Sequence, residues 1–162
     1  KMKKLHNLTL TRTVPEDLLT LFEFQADPEG KYLAAFTPKD SNDRAAYLNK
    51  YTPFLTDPTI TMCTIRSNEK IVVSISKFVL EGDAELTYWI DKPYWGQGIA
   101  TQSLEKLLEM VDSRPIYARV AFDNYGSQQV LKNCGFTQIG EDKGFANARQ
   151  AEIEEFIFQR TH

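Results

Sequence analysis

The segment ELTYWIDKPYWGQGIAT, residues 85–101, decides the fold of this chain. Residues 84–90 carry few charges and have bulky side chains on both faces, which is typical of a central strand in a sheet. Gly96 and Gly98 follow in a loop, and residues 101–111 then repeat apolar side chains at the spacing of an amphipathic helix. The segment therefore predicts a buried strand, a glycine-containing loop and a helix, in that order.

A glycine loop that enters a helix is suited to binding an anion. Glycine lets main-chain N–H groups approach a ligand without a Cβ in the way. The free N–H groups of the first helical turn point the same way, beside a partial positive charge of about half a unit. The loop lacks the G-K-[ST] ending of a Walker loop and the third glycine of the dinucleotide fingerprint. It predicts a diphosphate site, with a ligand-free turn as the alternative.

Predicted elements extend outward from this segment along the chain. Strand patterns cover residues 6–14, 60–66, 71–80, 84–90, 116–122, 136–139 and 152–160. Helical patterns begin at Pro15 and recur over residues 40–51, 101–111 and 127–133. Residues 140–149 are predicted to be a polar loop of lid length. This order predicts an α/β (α+β) fold in one domain over residues 1–162, with a mixed, largely antiparallel twisted sheet of about seven strands and helices on both faces.

Composition excludes several classes of function. The chain has 19 basic and 22 acidic residues and a formal net charge of -3, so it lacks the basic field that holds nucleic acid. Cys63 and Cys134 form no C-x-x-C pair, and we expect reduced, buried thiols in a cytoplasmic protein, with no metal site or disulfide framework. No apolar run approaches the roughly 20 residues that span a bilayer. Residues 1–4 lack the apolar core of a secretory signal.

Two motifs resemble those of a known family. WGQGIA, residues 95–100, is similar to the acetyl-CoA loop Q/R-x-x-G-x-G/A of the GCN5-related N-acetyltransferase (GNAT) superfamily. NYGSQQVLKNCGF, residues 124–136, resembles the second motif of that family, N-x-x-S/A followed by a helix that ends in G-F. The aromatic residues around the loop look most like the branch that includes the ribosomal-protein-alanine N-acetyltransferases. Trp95 stands where the loop pattern has Gln or Arg, so the resemblance implies binding through the backbone there.

The resemblance implies an activity and its partners. The chain is expected to transfer an acetyl group from acetyl-CoA, its co-substrate, to a primary amine by direct attack in a ternary complex. The amine would belong to a protein N-terminus or a small molecule, and we expect no metal, no nucleic acid, no membrane, and a monomer or homodimer. A non-catalytic CoA-binding regulatory module is the alternative, and a ligand-free interaction domain is a third possibility.

The resemblance also implies where acetyl-CoA binds. In the family, the fourth strand carries a bulge and splays from the fifth, and the pantetheine arm lies in the gap. The cofactor-binding residues implied here are Trp89, Ile90, Trp95, Gly96, Gln97, Gly98, Ile99, Ala100, Thr101, Asn124 and Ser127. Asn124 has the alternative of a helix cap, Ser127 of a small packing residue, and Thr101 of an ordinary helix-start residue.

The reaction needs a group that removes a proton from the amine. A lysine-like amine has a reference pKa near ~10 and an α-amine one of roughly 8, so both are mostly protonated at neutral pH. Glu85, at the start of the predicted central strand, is the candidate base, acting through a water molecule. An exposed acid at the end of a strand is the alternative reading of Glu85.

The proton donor is less evident from the sequence. Many family members have a tyrosine seven residues after the motif asparagine, where this chain has Leu131. Tyr88 and Tyr117 are the alternatives, each of which also suits a packed strand aromatic. Cys134 is expected to pack rather than to carry an acyl group. His6 and His162 lie at the termini and are not expected to be catalytic.

The acceptor is expected to contact residues 28–58 and the predicted loop over residues 140–149. Phe36 and Tyr47 are candidates for an apolar wall of the acceptor site. Asp40 is a candidate for attracting a cationic amine, or else belongs to a solvated helix start.

Overall fold

Seven strands and five α-helices make up the part of the chain that the computed structural model describes, residues 6–162. The strands are β1 Leu8–Arg12, β2 Thr61–Ser67, β3 Lys70–Leu80, β4 Asp83–Ile90, β5 Ile116–Ala121, β6 Thr137–Ala146 and β7 Ala151–Arg160. The helices are α1 Leu18–Phe24, α2 Pro28–Ala34, α3 Arg44–Tyr51, α4 Ile99–Met110 and α5 Tyr125–Asn133, with short 3-10 helices at Pro15–Asp17, Pro53–Thr56 and Lys92–Tyr94. The prediction for residues 1–4 lies outside the described residues.

All seven strands belong to one sheet, in the order β1-β2-β3-β4-β5-β7-β6. Neighbouring strands run antiparallel except β4 and β5, which are parallel. The β4–β5 pairing covers only Ala84↔Ile116 and Glu85↔Tyr117, so the two strands separate beyond Glu85. The predicted mixed sheet is confirmed, and its one parallel pair opens in the middle.

Helices cover both faces of the sheet, as predicted. On one face, Leu104 and Leu107 of α4 and Leu131 of α5 are buried in the main core. The strands contribute Leu86 of β4 and Ile116 of β5 to the same core. On the other face, α1 and α3 form a second core with Leu18, Leu21, Phe22, Phe24, Tyr47 and Met62. Because side chains alternate along a strand, successive residues of β4 face different cores.

Capping explains where two helices begin, at positions that the sequence analysis did not predict. The Asp43 carboxylate accepts a hydrogen bond from Ala46 N (3.1 Å), so α3 begins at Arg44 rather than at residue 40. In the same way, Asp27 accepts from Gly30 N (2.7 Å) and begins α2, a helix that the sequence analysis missed. Pro28 occupies the first turn of α2, where a proline needs no N–H partner.

The predicted lid loop over residues 140–149 is wrong. Most of it belongs to β6, which pairs with β7 from Thr137 to Ala146 with one register irregularity between Gln138 and Gly140. β6 is an edge strand and exposed along most of its length, so its side chains are polar and lack a clear alternation. This polarity explains why the sequence resembles a loop.

Candidate active site

A cavity of about 930 Å³ opens where β4 and β5 separate. Its wall includes Glu85 at the start of the gap, Asn124 and Ser127 at the N-terminal end of α5, and Gly96 and Gly98 where β4 leads into α4. The cavity therefore connects the glycine loop with the only parallel strand pair among residues 6–162.

The loop presents free N–H groups to this cavity. Gly96 and Gly98 have φ angles of 74° and 79°, a left-handed conformation that glycine adopts without steric cost. α4 starts at Ile99, and no described side chain caps its N-terminus. The first-turn N–H groups, which have no partner within a helix, are thus available to an anion. These residues fit the diphosphate of acetyl-CoA.

Two side chains of the loop bind the loop itself. The indole Nε1 of Trp95 donates to the carbonyl of Ile90 (2.9 Å), and Nε2 of Gln97 donates to the carbonyl of Pro93 (3.1 Å). Trp95 therefore ties the loop to the end of β4, and Gln97 ties it to the short helix at Lys92–Tyr94, which leaves the N–H groups of the loop to contact a ligand.

The free main chain of β4 lies at Tyr88 rather than at Trp89. Asp91 N donates to Val72 O (2.9 Å), and since hydrogen-bonded pairs alternate along antiparallel strands, Trp89 also bonds to β3. The N–H and C=O of Tyr88 then point toward β5, beyond the last paired residues. The Ile90 carbonyl, on the same edge, is occupied by Trp95.

The predicted bulge in the fourth strand is absent. The β3–β4 register is continuous from Val73↔Ile90 to Leu80↔Asp83, so the gap arises from divergence of β5 alone. The Trp89 side chain lies on the opposite face from Tyr88. It packs so close to Gly30 that a Cβ there would be 3.1 Å from the indole.

Tyr88, Ser127 and Asn124 form a chain of contacts beside the gap. The Tyr88 hydroxyl lies 2.6 Å from Ser127 Oγ. Burial raises the pKa of Tyr88 to about 12. Asn124 caps α5 by accepting from Ser127 N (3.3 Å), and its Nδ2 donates to the carbonyl of Leu33 in α2 (3.3 Å). Asn124 thus caps a helix, as its alternative reading held, and lines the cavity as well.

Glu85 is buried, not exposed. Only 5% of the residue is accessible, and its Oε2 lies 3.5 Å from Nε of Arg119 on β5. Burial raises the pKa of Glu85 above its ordinary value, while the positive charge of Arg119 opposes this shift. Arg119 is shared with Glu155 of β7 (3.3 Å) and Asp142 of β6 (3.6 Å). A carboxylate of raised basicity therefore lines the cavity, with Arg119 and Glu155 beside it.

The three predicted acceptor residues lie in different places. Phe36 lines the cavity. Asp40 is exposed and precedes α3 without capping it. Tyr47 belongs to the second core, with its ring 5.3 Å from that of Phe22 and its hydroxyl buried without a hydrogen-bond partner. Of these three residues, the structure brings only Phe36 into the wall of the cavity.

Phe36 is held by a strained turn. Ala35, which is fully buried, has a φ of 66°, and Phe36 N donates to Ala34 O (2.7 Å) across it. The turn between β6 and β7 supports this conformation, since Ala148 N donates to Ala35 O (3.0 Å) and Asn147 Nδ2 to Thr37 O (2.7 Å).

Comparison with known proteins identifies the family. A family model described as the acetyltransferase (GNAT) domain matches residues 7–137. The chain belongs to this family. It is an N-acetyltransferase whose co-substrate is acetyl-CoA, as the two sequence motifs predicted. Among curated proteins, a search finds no match to the chain.

Solved structures confirm the fold of this acetyltransferase. RimL, a ribosomal L7/L12 alpha-N-protein acetyltransferase solved with coenzyme A, is 19% identical with a TM-score of 0.83, over 95% of this chain and 93% of that chain. The microcin C7 self-immunity acetyltransferase MccE, solved with acetyl-CoA and AMP, is 17% identical with a TM-score of 0.80, over 96% and 92%. A spermidine N-acetyltransferase SpeG chimera from Vibrio cholerae and hSSAT is 16% identical with a TM-score of 0.80, over 95% of each chain. The predicted likeness to ribosomal-protein acetyltransferases is thus found in the fold.

Two positions of the second motif are buried in the acetyltransferase. Leu131, where many family members have a tyrosine, is fully buried. Cys134 is also buried, and its Sγ donates to Thr101 O (3.6 Å). Burial raises the pKa of this thiol to about 11, which disfavours the thiolate that an acyl-cysteine would need.

Sequence reasoning missed Arg119 and Glu155. Arg119 is a charged residue in a strand whose other face is apolar, which was the available signal, whereas β7 carries charged residues on both faces and gives no such signal for Glu155. Glu155 also depends on β7 inserting between β5 and β6, which no local pattern predicts.

Among residues 6–162, no helix is long and apolar enough to cross a membrane. Within the same residues, no group of three His, Cys, Asp or Glu side chains could hold a metal ion.

Proposed function

We propose that this acetyltransferase acetylates a primary amine by direct attack in a ternary complex, with Glu85 as the general base. The observation that carries the proposal is the single cavity that reaches from the uncapped start of α4 to the buried Glu85 carboxylate across the β4–β5 gap. Both reactants can occupy this cavity together, which favours direct transfer over a covalent enzyme intermediate.

The main chain is proposed to hold the co-substrate. The N–H groups of residues 96–101 bind the diphosphate, and the main chain of Tyr88 pairs with the pantetheine arm in the gap. Asn124 and Ser127 line the same cavity. When bound, acetyl-CoA supplies the acetyl group as an activated thioester.

Glu85 is proposed to accept the proton of the attacking amine. Burial is the chief cause of its raised pKa. A carboxylate whose pKa lies closer to neutral pH is a better base. Arg119 keeps enough negative charge on Glu85 for this role by stabilising the ionised form. A positioned base typically contributes about 10²–10⁴-fold to the rate.

Tyr88 is proposed to donate a proton to the thiolate of coenzyme A, which leaves as the C–S bond breaks and the amine takes its place on the acetyl group. With a pKa of about 12, its hydroxyl stays protonated at neutral pH, and it lines the same cavity. Ser127 Oγ, 2.6 Å away, orients this hydroxyl. We further propose a cytoplasmic protein of one domain that acts as a monomer or homodimer on a peptide or small-molecule amine.

Replacing Glu85 by Gln tests the proposed base, because Gln keeps the shape and loses the carboxylate. We expect kcat/KM to fall by about 10²-fold or more, with the KM for acetyl-CoA unchanged. Glu81→Gln, in the exposed turn before the same strand, is the matched control and should keep wild-type activity. Unchanged turnover in Glu85→Gln would contradict a chemical role for this residue.

A further inference from the structure

The first described residues of the chain contact the diphosphate loop. His6 Nε2 lies 3.1 Å from the carbonyl oxygen of Gln97, and since a carbonyl only accepts, the ring nitrogen donates. Gln102 of α4 binds the main chain of His6 in both directions: its Oε1 accepts from His6 N (3.1 Å), and its Nε2 donates to His6 O (3.0 Å). These contacts fix the ring of His6 beside the loop.

The hydrogen bond from His6 orients a peptide group of the loop. In a planar trans peptide, the carbonyl of Gln97 and the N–H of Gly98 point in opposite directions. Gly98 lines the cavity, whereas His6 does not. Holding the Gln97 carbonyl toward His6 therefore turns the Gly98 N–H toward the cavity, beside the free N–H groups at the start of α4.

This peptide group needs an external restraint. Gly96 and Gly98 lie on either side of Gln97, both at positive φ, and glycine allows the intervening backbone to rotate at little cost. Rotation of the Gln97–Gly98 peptide would point a carbonyl oxygen at the bound diphosphate in place of a donor. The side chain of Gln97 cannot hold this peptide alone, because it binds Pro93 on the other side of the loop.

We propose that His6 is a positioning residue for the diphosphate of coenzyme A, acting through the Gln97–Gly98 peptide. The inference rests on the proposed function, since it assumes that the loop binds this diphosphate. It assigns to the segment before β1 a part in binding the co-substrate and no part in acceptor recognition.

Two substitutions of His6 test the proposal. His6→Leu removes the donor at similar size, and we expect the KM for acetyl-CoA to rise about five- to tenfold. His6→Gln keeps an N–H donor at similar reach and should stay near the wild-type value. Asn7→Ala, an exposed neighbour, is the control and should change nothing.

A second substrate separates positioning from a general structural effect. Acetyl-pantetheine carries the same thioester without the diphosphate, so its kcat/KM should be equal in His6→Leu and wild type, and the KM for the amine should not change. An equal loss with acetyl-pantetheine, or an unchanged KM for acetyl-CoA, would overturn the proposal. A wild-type enzyme that acetyl-CoA does not saturate would instead remove the proposed function itself.

A variant at Gln102 keeps the proposal testable if His6→Leu does not fold. Gln102→Leu releases the main chain of His6 and should raise the KM for acetyl-CoA in the same direction. The double variant His6→Leu/Gln102→Leu should have a KM for acetyl-CoA no higher than that of the more impaired single variant, because both changes break one chain of contacts. Fully additive effects, or no effect of Gln102→Leu, would count against the proposal.

Discussion

At the scale of single residues, the burial of Glu85 lowers the stability of the folded protein and raises the pKa that a catalytic base needs. Burial makes its charged form costly, and Arg119 offsets this cost only in part because Glu155 and Asp142 share the same guanidinium. The net result is a raised pKa. A base of raised pKa is useful to an amine acetyltransferase, while the same burial reduces the stability of the folded protein at neutral pH.

The stability of Glu85→Gln should therefore depend on pH. A carboxyl whose pKa is higher in the folded state than in the unfolded state contributes stability that is fully present below its ordinary value of 4.5 and lost as pH rises through the folded value. We expect the variant to match wild type near pH 4.5 and to be at least as stable at pH 7. Urea denaturation at both pH values measures this, and a variant less stable only at pH 7 would contradict the direction of the shift.

Tyr88→Phe tests the proposed donor and keeps the packing of the ring. We expect kcat to fall by about tenfold or more while the KM for acetyl-CoA stays constant, since the main chain of Tyr88 is unchanged. Tyr117→Phe is the control: its hydroxyl accepts from Gln159 Nε2 (3.1 Å), and its loss should leave kcat unchanged. Steady-state kinetics with both variants decide whether Tyr88 acts chemically or only packs.

At the scale of elements, the glycine loop and α4 act as one binding unit. Gly98→Ala puts a side chain at a φ of 79°, which costs on the order of 1 kcal/mol, within the loop whose N–H groups face the cavity. We expect the KM for acetyl-CoA to rise roughly tenfold, with little change in the KM for the amine.

Gly82→Ala is the matched control for this loop variant. Gly82, in the turn between β3 and β4, also has a positive φ of 87°, and no atom lies within 4 Å of a Cβ added there. It should lose a similar amount of stability and keep the wild-type KM for acetyl-CoA. If both variants raise this KM equally, the effect of Gly98→Ala reflects strain and not loss of the binding site.

The turn between β6 and β7 links α2 to Asp123 beside the cavity. Arg149 makes a bidentate pair with Asp123 (2.9 and 2.8 Å), donates to Tyr32 O (2.6 Å), and stacks 3.9 Å from the centre of the Tyr32 ring. The pair lowers the pKa of Asp123. These contacts explain how the strained turn at Ala35 persists beside the cavity.

Arg149→Ala should therefore destabilise the protein by about 2 kcal/mol, since the substitution leaves Asp123 without its partner. Chemical denaturation measures the change in the free energy of unfolding. Lys143→Ala breaks an exposed pair with Glu152 on the same hairpin and should change this free energy by less than roughly 0.5 kcal/mol. Equal effects of the two substitutions would show that the Arg149 cluster does not stabilise the fold.

At the scale of the whole molecule, the sequence predicted what depends on local pattern. The strand, loop and helix over residues 85–101 follow from burial, glycine and amphipathic spacing, and the structure has all three. β6 could not be predicted, because an exposed edge strand lacks the alternation that burial imposes. Arg119 and Glu155 meet Glu85 only through the strand order, and Tyr47 is buried by α1, so their positions depend on tertiary contacts.

The most direct test of the central claim measures the release of coenzyme A from acetyl-CoA by thiol detection. The amines tested are peptide N-termini, polyamines and amino-acid-like amines. We predict saturable release with at least one amine, an acetylated amine by mass spectrometry, and a rate that falls about 10²-fold or more in Glu85→Gln. Saturable binding of acetyl-CoA without coenzyme A release for any amine would contradict the claim, and would favour a non-catalytic CoA-binding module.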